Sequence, residues 1–157
     1  MTRAQTTLDF AIGAGVFLVA IAFVVAFVPG MFVPFDADTG TITANRVADS
    51  AASDVLGDPA EPRALDTECT DGFFEQMNGG SSTDACRFDE NATGPDEVFG
   101  VSDRLNVTIE HRNGTAVVRD GQALSAGPDP DDGRTVATVR RTVLLDGESK
   151  QLLVRVW

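Results

Sequence analysis

The chain has 157 residues, with 12 Lys and Arg against 24 Asp and Glu, for a formal net charge of −12. A nucleic-acid-binding surface needs basic groups to neutralise phosphates, so this balance excludes nucleic acid as a partner. No charge falls between Phe10 and Phe35, and only Arg3 and Asp9 precede that stretch; an apolar segment joined to a remainder with 11 basic and 23 acidic residues argues against a freely soluble cytosolic enzyme.

Phe10 to Val28 reads FAIGAGVFLVAIAFVVAFV, 19 uncharged and almost wholly apolar residues. At about 1.5 Å per residue a helix of this length covers roughly 28 Å, close to the hydrocarbon thickness of a bilayer. It has no polar face, which a helix half-buried in a soluble core would show. The segment therefore predicts a membrane-spanning helix. A cleaved secretory signal would have a shorter apolar core and a small-residue exit, whereas the exit here is PGMFVPFD. Pro29-Gly30 is expected to break or kink the helix and Pro34 to finish it, with Asp36 to Gly40 as a polar connector. Arg3 before the span and Asp36 and Asp38 after it place the N-terminus in the cytoplasm and the acidic part outside.

Arg46 to Leu56 then reads as an amphipathic helix, with Val47, Ala48, Ala51, Ala52, Val55 and Leu56 on one stripe. Thr43 or Asn45 would cap its start, and Gly57 and Pro59 would end it. Asp58 to Asp103 reads as irregular, too long for an unconstrained loop. Cys69 and Cys86 lie within it. Outside the cell a disulfide is permitted, and bridging a loop of about 15 residues is worth roughly 3 kcal/mol.

The last third reads as antiparallel β. Leu105 to Ile109 and Thr115 to Val118 flank Asn113-Gly114, a hairpin signal. Thr135 to Leu145 and Gln151 to Trp157 flank a second turn at 146–149, and pairing Leu145 with Lys150 puts Val139, Val143, Leu145, Leu152, Val154 and Val156 on one face. Gln122 to Arg134 is a Pro/Gly/Asp-rich loop. The fold class predicted is α+β: a long N-terminal transmembrane helix, then a small extracellular head with one amphipathic helix packed on an antiparallel sheet.

Three Asn-x-Thr motifs, at Asn91, Asn106 and Asn113, are candidate glycosylation sites on an outside domain. No cofactor or metal is expected. The acidic run from Asp129 fails the calcium-loop pattern, with Arg134 at its sixth position and Arg140 at its twelfth. Two cysteines and the single His111 can hardly make a zinc site. No catalytic set, nucleophile elbow or phosphate loop appears, so the chain is not read as an enzyme.

The residues before the span read Arg3-Ala4-Gln5-Thr6-Thr7-Leu8-Asp9. A short basic leader, a glutamine and an acid four residues later, directly before an apolar helix, resembles the class III signal of archaeal type IV pilin-like proteins. The eleven arginines against one lysine and the acidic balance are similar to those of a haloarchaeal surface protein. The resemblance implies a leader at 1–4, a transmembrane and assembly helix at 5–35 and an acidic head at 36–157. It implies cutting between Ala4 and Gln5 by a membrane prepilin peptidase, and association with other pilin-like subunits through the N-terminal helix. The sequence departs from the family in having Ala4 where glycine is common and Asp9 where glutamate is common. Cutting would create an amine at Gln5 for Asp9 of a neighbouring subunit to pair with, and Ala11, Gly13 and Gly15 would allow close helix approach. The alternative is an uncleaved, single-pass anchored binding module.

Overall fold

The structure, a computed structural model, describes the backbone of residues 3–81 and 86–157 and the side chains of 9–27, 39–81 and 86–157. The chain forms two compact units, residues 1–38 and 39–157. Helix α1, Arg3–Ser50, contributes its first part to one and its last turns to the other. In the first unit the apolar stretch Asp9–Phe27 is long enough to cross a membrane. Pro29, Gly30 and Pro34 lie within α1 rather than ending it, and residues 36–40 are helix rather than a connector. A proline removes one backbone donor, which an apolar environment tolerates better than a run of unpaired backbone groups.

The second unit is α+β. Of the predicted helical stripe, Val47, Ala48, Ala51 and Leu56 are buried and Ala52 and Val55 half-buried, and Ala44, outside the predicted span, is buried with them. The start is not a cap, because α1 is already helical there. Asn45 instead donates to Thr41 O at 2.8 Å and accepts from Arg141 Nη2 at 2.8 Å. The helix ends in a π-helical turn, Ala51–Val55, closed by Leu56 N donating to Ala51 O.

Two helices occupy the segment expected to be irregular. α2, Thr67–Met77, starts where Asp66 Oδ1 accepts from Cys69 N at 2.8 Å, and ends at Gly79, whose positive φ of 84° lets the chain turn back. It buries Thr70, Phe73 and Phe74, spaced as one helical face. α3, Pro95–Phe99, opens on a proline and closes on left-handed Gly100.

The sheet holds four antiparallel strands: β1 Leu105–Glu110, β4 Ser125–Ala126, β5 Ala137–Leu145 and β6 Glu148–Val156, in the order β4-β1-β6-β5. β2, Val118–Arg119, and β3, Gln122–Ala123, form a separate two-stranded ribbon. Leu105, Val107 and Ile109 of β1, Val139, Val143 and Leu145 of β5, and Leu152, Val154 and Val156 of β6 enter one core with the end of α1 and the α2 phenylalanines. The predicted inward face of β5 and β6 is therefore correct.

The register is not. Leu145 pairs with Glu148 and Val143 with Lys150. Asp146 and Gly147 both have positive φ, 53° and 75°, so the turn has two residues instead of four. The resulting slip is two residues, which keeps the same side chains inside. The first hairpin is also shorter than expected. His111 N donates to Thr115 O and Val117 N to Ile109 O, but a second tight turn at Asp120-Gly121 then folds β2 onto β3 and delivers β4 to β1. Residues 122–126, read as loop, thus supply two short strands.

Gly127 sits where that return passes β1, with φ of 86°, and a Cβ there would collide with Leu105 O. Gly127→Ala is expected to lower head stability by about 1–3 kcal/mol through backbone strain. Urea unfolding followed by Trp157, the single tryptophan, checks this.

Candidate functional site

The apolar helix is the feature most exposed to something outside the chain. Between Asp9 and Phe27 every described residue is exposed except Ala14, which is half-exposed. Phe10 is 77% exposed and Val19 70%, values that water would not favour for so many neighbouring apolar groups. Phe23 and Phe27 stack one turn apart, with ring centroids 4.4 Å apart. A Cβ at Gly13 or Gly15 would meet nothing within 4 Å, so both positions are open to an approaching surface. Asp9 is exposed, immediately before this stretch. Arg3, Ala4 and Gln5 lie in the first turn of α1, and their side chains lie outside the described residues.

In the head, Cys69 and Cys86 are joined, with Cα atoms 5.4 Å apart. The bond ties the first turn of α2 to the segment carrying Phe88. Phe73 meets Phe74, Phe88 and Phe99 edge-on, at centroid distances of 5.1, 5.6 and 6.0 Å.

The three glycosylation motifs stand in different surroundings. Asn113 is exposed at a hairpin tip, and Asn91 is exposed ahead of α3. Asn106 is fully buried in β1, its Nδ2 donating to Gly127 O at 3.1 Å. The candidate site at Asn106 is thereby corrected: a glycan has no room on a buried amide already used in packing.

An ion-pair cluster that sequence spacing does not reveal fixes the β2–β3 ribbon. Arg119 pairs with Asp71 of α2 at 2.9 Å and with Asp146 of the β5–β6 turn, and Thr67 Oγ1 donates to Asp146 Oδ1 at 2.6 Å. These groups come from three distant segments; only the Asp120-Gly121 turn signal would have hinted at the ribbon. Arg119 and Asp71 line a cleft of about 250 Å³ with Phe74, Glu75, Asp120 and Gln122. The cleft offers opposed charges already satisfied by each other. Among the described residues no three His, Cys, Asp or Glu side chains are placed to share a metal ion. Asp131, in the failed calcium loop, pairs with Arg104 and Arg134.

The two carboxyls of the cluster are shifted in opposite directions. Burial pushes Asp71 up, more than Arg119 pulls it down. The hydrogen bond from Thr67, then that from Arg119, holds Asp146 below the ordinary aspartate value of 3.8. A depressed carboxyl stabilises the fold above its unfolded value and loses that contribution as pH falls through its folded value. The raised Asp71 acts oppositely, losing its contribution as pH rises through its folded value. Asp146→Asn keeps an oxygen for Thr67 but removes the charge. Its expected cost at neutral pH is about 1 kcal/mol or less, since the side chain is half-exposed, and the deficit closes on acidification below 3.8. Unfolding midpoints of both proteins across that pH range check this.

No curated protein and no solved structure matches the chain. A family of unknown function, DUF7287, matches over residues 1–157, and the protein belongs to that family.

Proposed function

We propose that the protein is a structural, pilin-like membrane protein, a subunit or accessory component of a type IV pilus-like surface assembly, and not an enzyme. The observation that carries this reading is the apolar helical stretch Asp9–Phe27, with its large side chains exposed and an acid at its head. Lipid covers such a surface before assembly, and other copies of the same helix cover it in a filament. The leader pattern Arg3-Ala4-Gln5 with Asp9 supports cutting by a prepilin peptidase on the cytoplasmic face. The amine freed at Gln5 then pairs with Asp9 of a neighbouring subunit, so that neither charge is left alone in apolar surroundings. A disulfide in the head supports its placement in an oxidising, extracellular compartment, with the N-terminus cytoplasmic and a single pass through the membrane.

The test is the distribution of wild-type protein and Asp9→Asn between membranes and filaments sheared from the cell surface, read by immunoblot of the head. The wild type is expected in the sheared fraction, with the variant retained in the membrane at a similar total amount. A wild type found only in membranes, or a variant that assembles normally, would contradict the proposal and favour a simple anchored module.

A further inference from the structure

The three Asn-x-Thr motifs share a sequence pattern but not a chemistry. At Asn113 the side-chain oxygen accepts two hydrogen bonds, from Thr115 N at 3.1 Å and from Thr115 Oγ1 at 2.7 Å. Both bonds end on Oδ1, so they hold the amide in place, and Nδ2 has no partner among the described residues. Arg112, Asn113, Gly114 and Thr115 are all exposed, and Gly114, with φ of 83°, turns the chain at the tip with open space where a Cβ would be. A turn alone accounts for Asn113 and Gly114. It does not require the hydroxyl at position 115, which is bonded to the asparagine it accompanies.

At Asn106 the local relation is similar, since Thr108 Oγ1 donates to Asn106 Oδ1 at 3.0 Å. There Nδ2 is committed to Gly127 O and Arg155 Nη1 donates to the same Oδ1 at 3.1 Å, all within a buried strand. A saccharide on this nitrogen and the folded sheet exclude one another. At Asn91 the backbone N and Nδ2 both donate to Asp89 Oδ1, at 2.8 and 3.1 Å. Its partner hydroxyl is turned away, with Thr93 Oγ1 donating to Glu97 Oε2 at 3.1 Å. Of the three motifs, Asn113 alone combines exposure, a nitrogen without a partner among the described residues, and an engaged hydroxyl. Beside the tip lies a polar cleft of about 350 Å³ lined in part by Glu110, Arg140 and Gln151, side chains suited to hydrogen-bonding sugar hydroxyls.

We infer that Asn113 is the acceptor for an N-linked glycan and that Asn106 is not. The donor class is an oligosaccharide carried on a polyprenyl phosphate, on the same side of the membrane as the head. The Asn113 Nδ2–C1 bond forms as the bond from C1 to the phosphate oxygen breaks. The lipid-borne phosphate leaves with the bonding electron pair, and Nδ2 gives up one proton. The inference rests on the proposed placement of the head outside the cell.

Glycopeptide mass spectrometry on the full chain from native membranes tests it. The peptide carrying Asn113 is expected to bear a mass increment of one or more sugar residues, and the peptide carrying Asn106 none. The increment should vanish in Asn113→Gln and Thr115→Val and persist in Thr115→Ser, whose hydroxyl is retained. An unmodified Asn113, or modification at Asn106, overturns the inference. Protease added to intact cells separates the two levels. A head cut from outside with Asn113 unmodified removes the glycan assignment alone, whereas a protected head removes the topology as well.

Discussion

Phe73→Ala is expected to destabilise the head by about 3–5 kcal/mol, the range for deleting a buried aromatic ring. Phe73 is fully buried, and its ring meets three others, from α2 itself, from the Cys86–Phe88 segment and from α3. Set against a typical total of about 5–15 kcal/mol for a domain, the loss is about a fifth of the whole or more. Urea titration of the detergent-solubilised protein, read through Trp157, is the measurement. Trp157 is suited to it because its N and O pair with Arg104 at the end of the sheet. Phe73→Leu should recover most of the loss, as a smaller change of volume. A shift below about 1 kcal/mol for the alanine variant would show that the aromatic cluster is not a keystone of this core.

Loss of the Cys69–Cys86 bond, by reduction or by Cys69→Ser with Cys86→Ser, is expected to cost about 3 kcal/mol from the greater freedom of the unfolded chain. The bridge closes a sequence separation of 17 residues around a segment that contains Gly79-Gly80 and a run of small polar residues. It also holds Phe88 against Phe73. The effects of Phe73→Ala and bond removal should therefore fall short of additivity, because each releases the same segment. An unchanged unfolding midpoint after complete reduction would contradict this account of the bridge. The same comparison run on intact cells reports the compartment, since the bond persists only where thiols are not kept reduced.

What was legible in the sequence follows from how far each signal reaches along the chain. The apolar helix needed only length and the absence of charge, both local. The stripe from Val47 to Leu56 and the inward face of β5 and β6 rest on periodicities that a short window contains. The disulfide needed only two cysteines and a compartment. Helix α2 was missed because its acids and cysteine obscure the apolar face of Phe73 and Phe74, although Asp66 with Glu68 and the closing Asn78-Gly79 were present as start and stop signals. The two Asp-Gly pairs form tight turns with positive φ at both residues, one moving the register and the other adding a short ribbon, and composition alone does not separate such a turn from a longer loop. Continuity of α1 through Pro29 and Pro34 runs against the usual stop signal, because proline ends helices in water but is tolerated in helices that cross a membrane.

The candidate site divides in the same way. A three-residue glycosylation motif is visible in any sequence, but the burial of Asn106 depends on where β1 falls in the sheet. The Asp71–Arg119–Asp146 cluster joins residues whose neighbours along the chain say nothing about one another. The proposed pairing of Gln5 with Asp9 lies further still from local pattern, since its partners belong to different copies of the protein.

The measurement that tests the central proposal most directly is the N-terminal mass of the protein taken from native membranes, with and without the prepilin peptidase. The account predicts a mature chain beginning at Gln5 in normal cells, and a chain still carrying residues 1–4 where the peptidase is absent. A chain that retains Thr2 to Ala4 in normal cells would contradict processing, and with it the paired amine and carboxylate on which the proposed assembly depends.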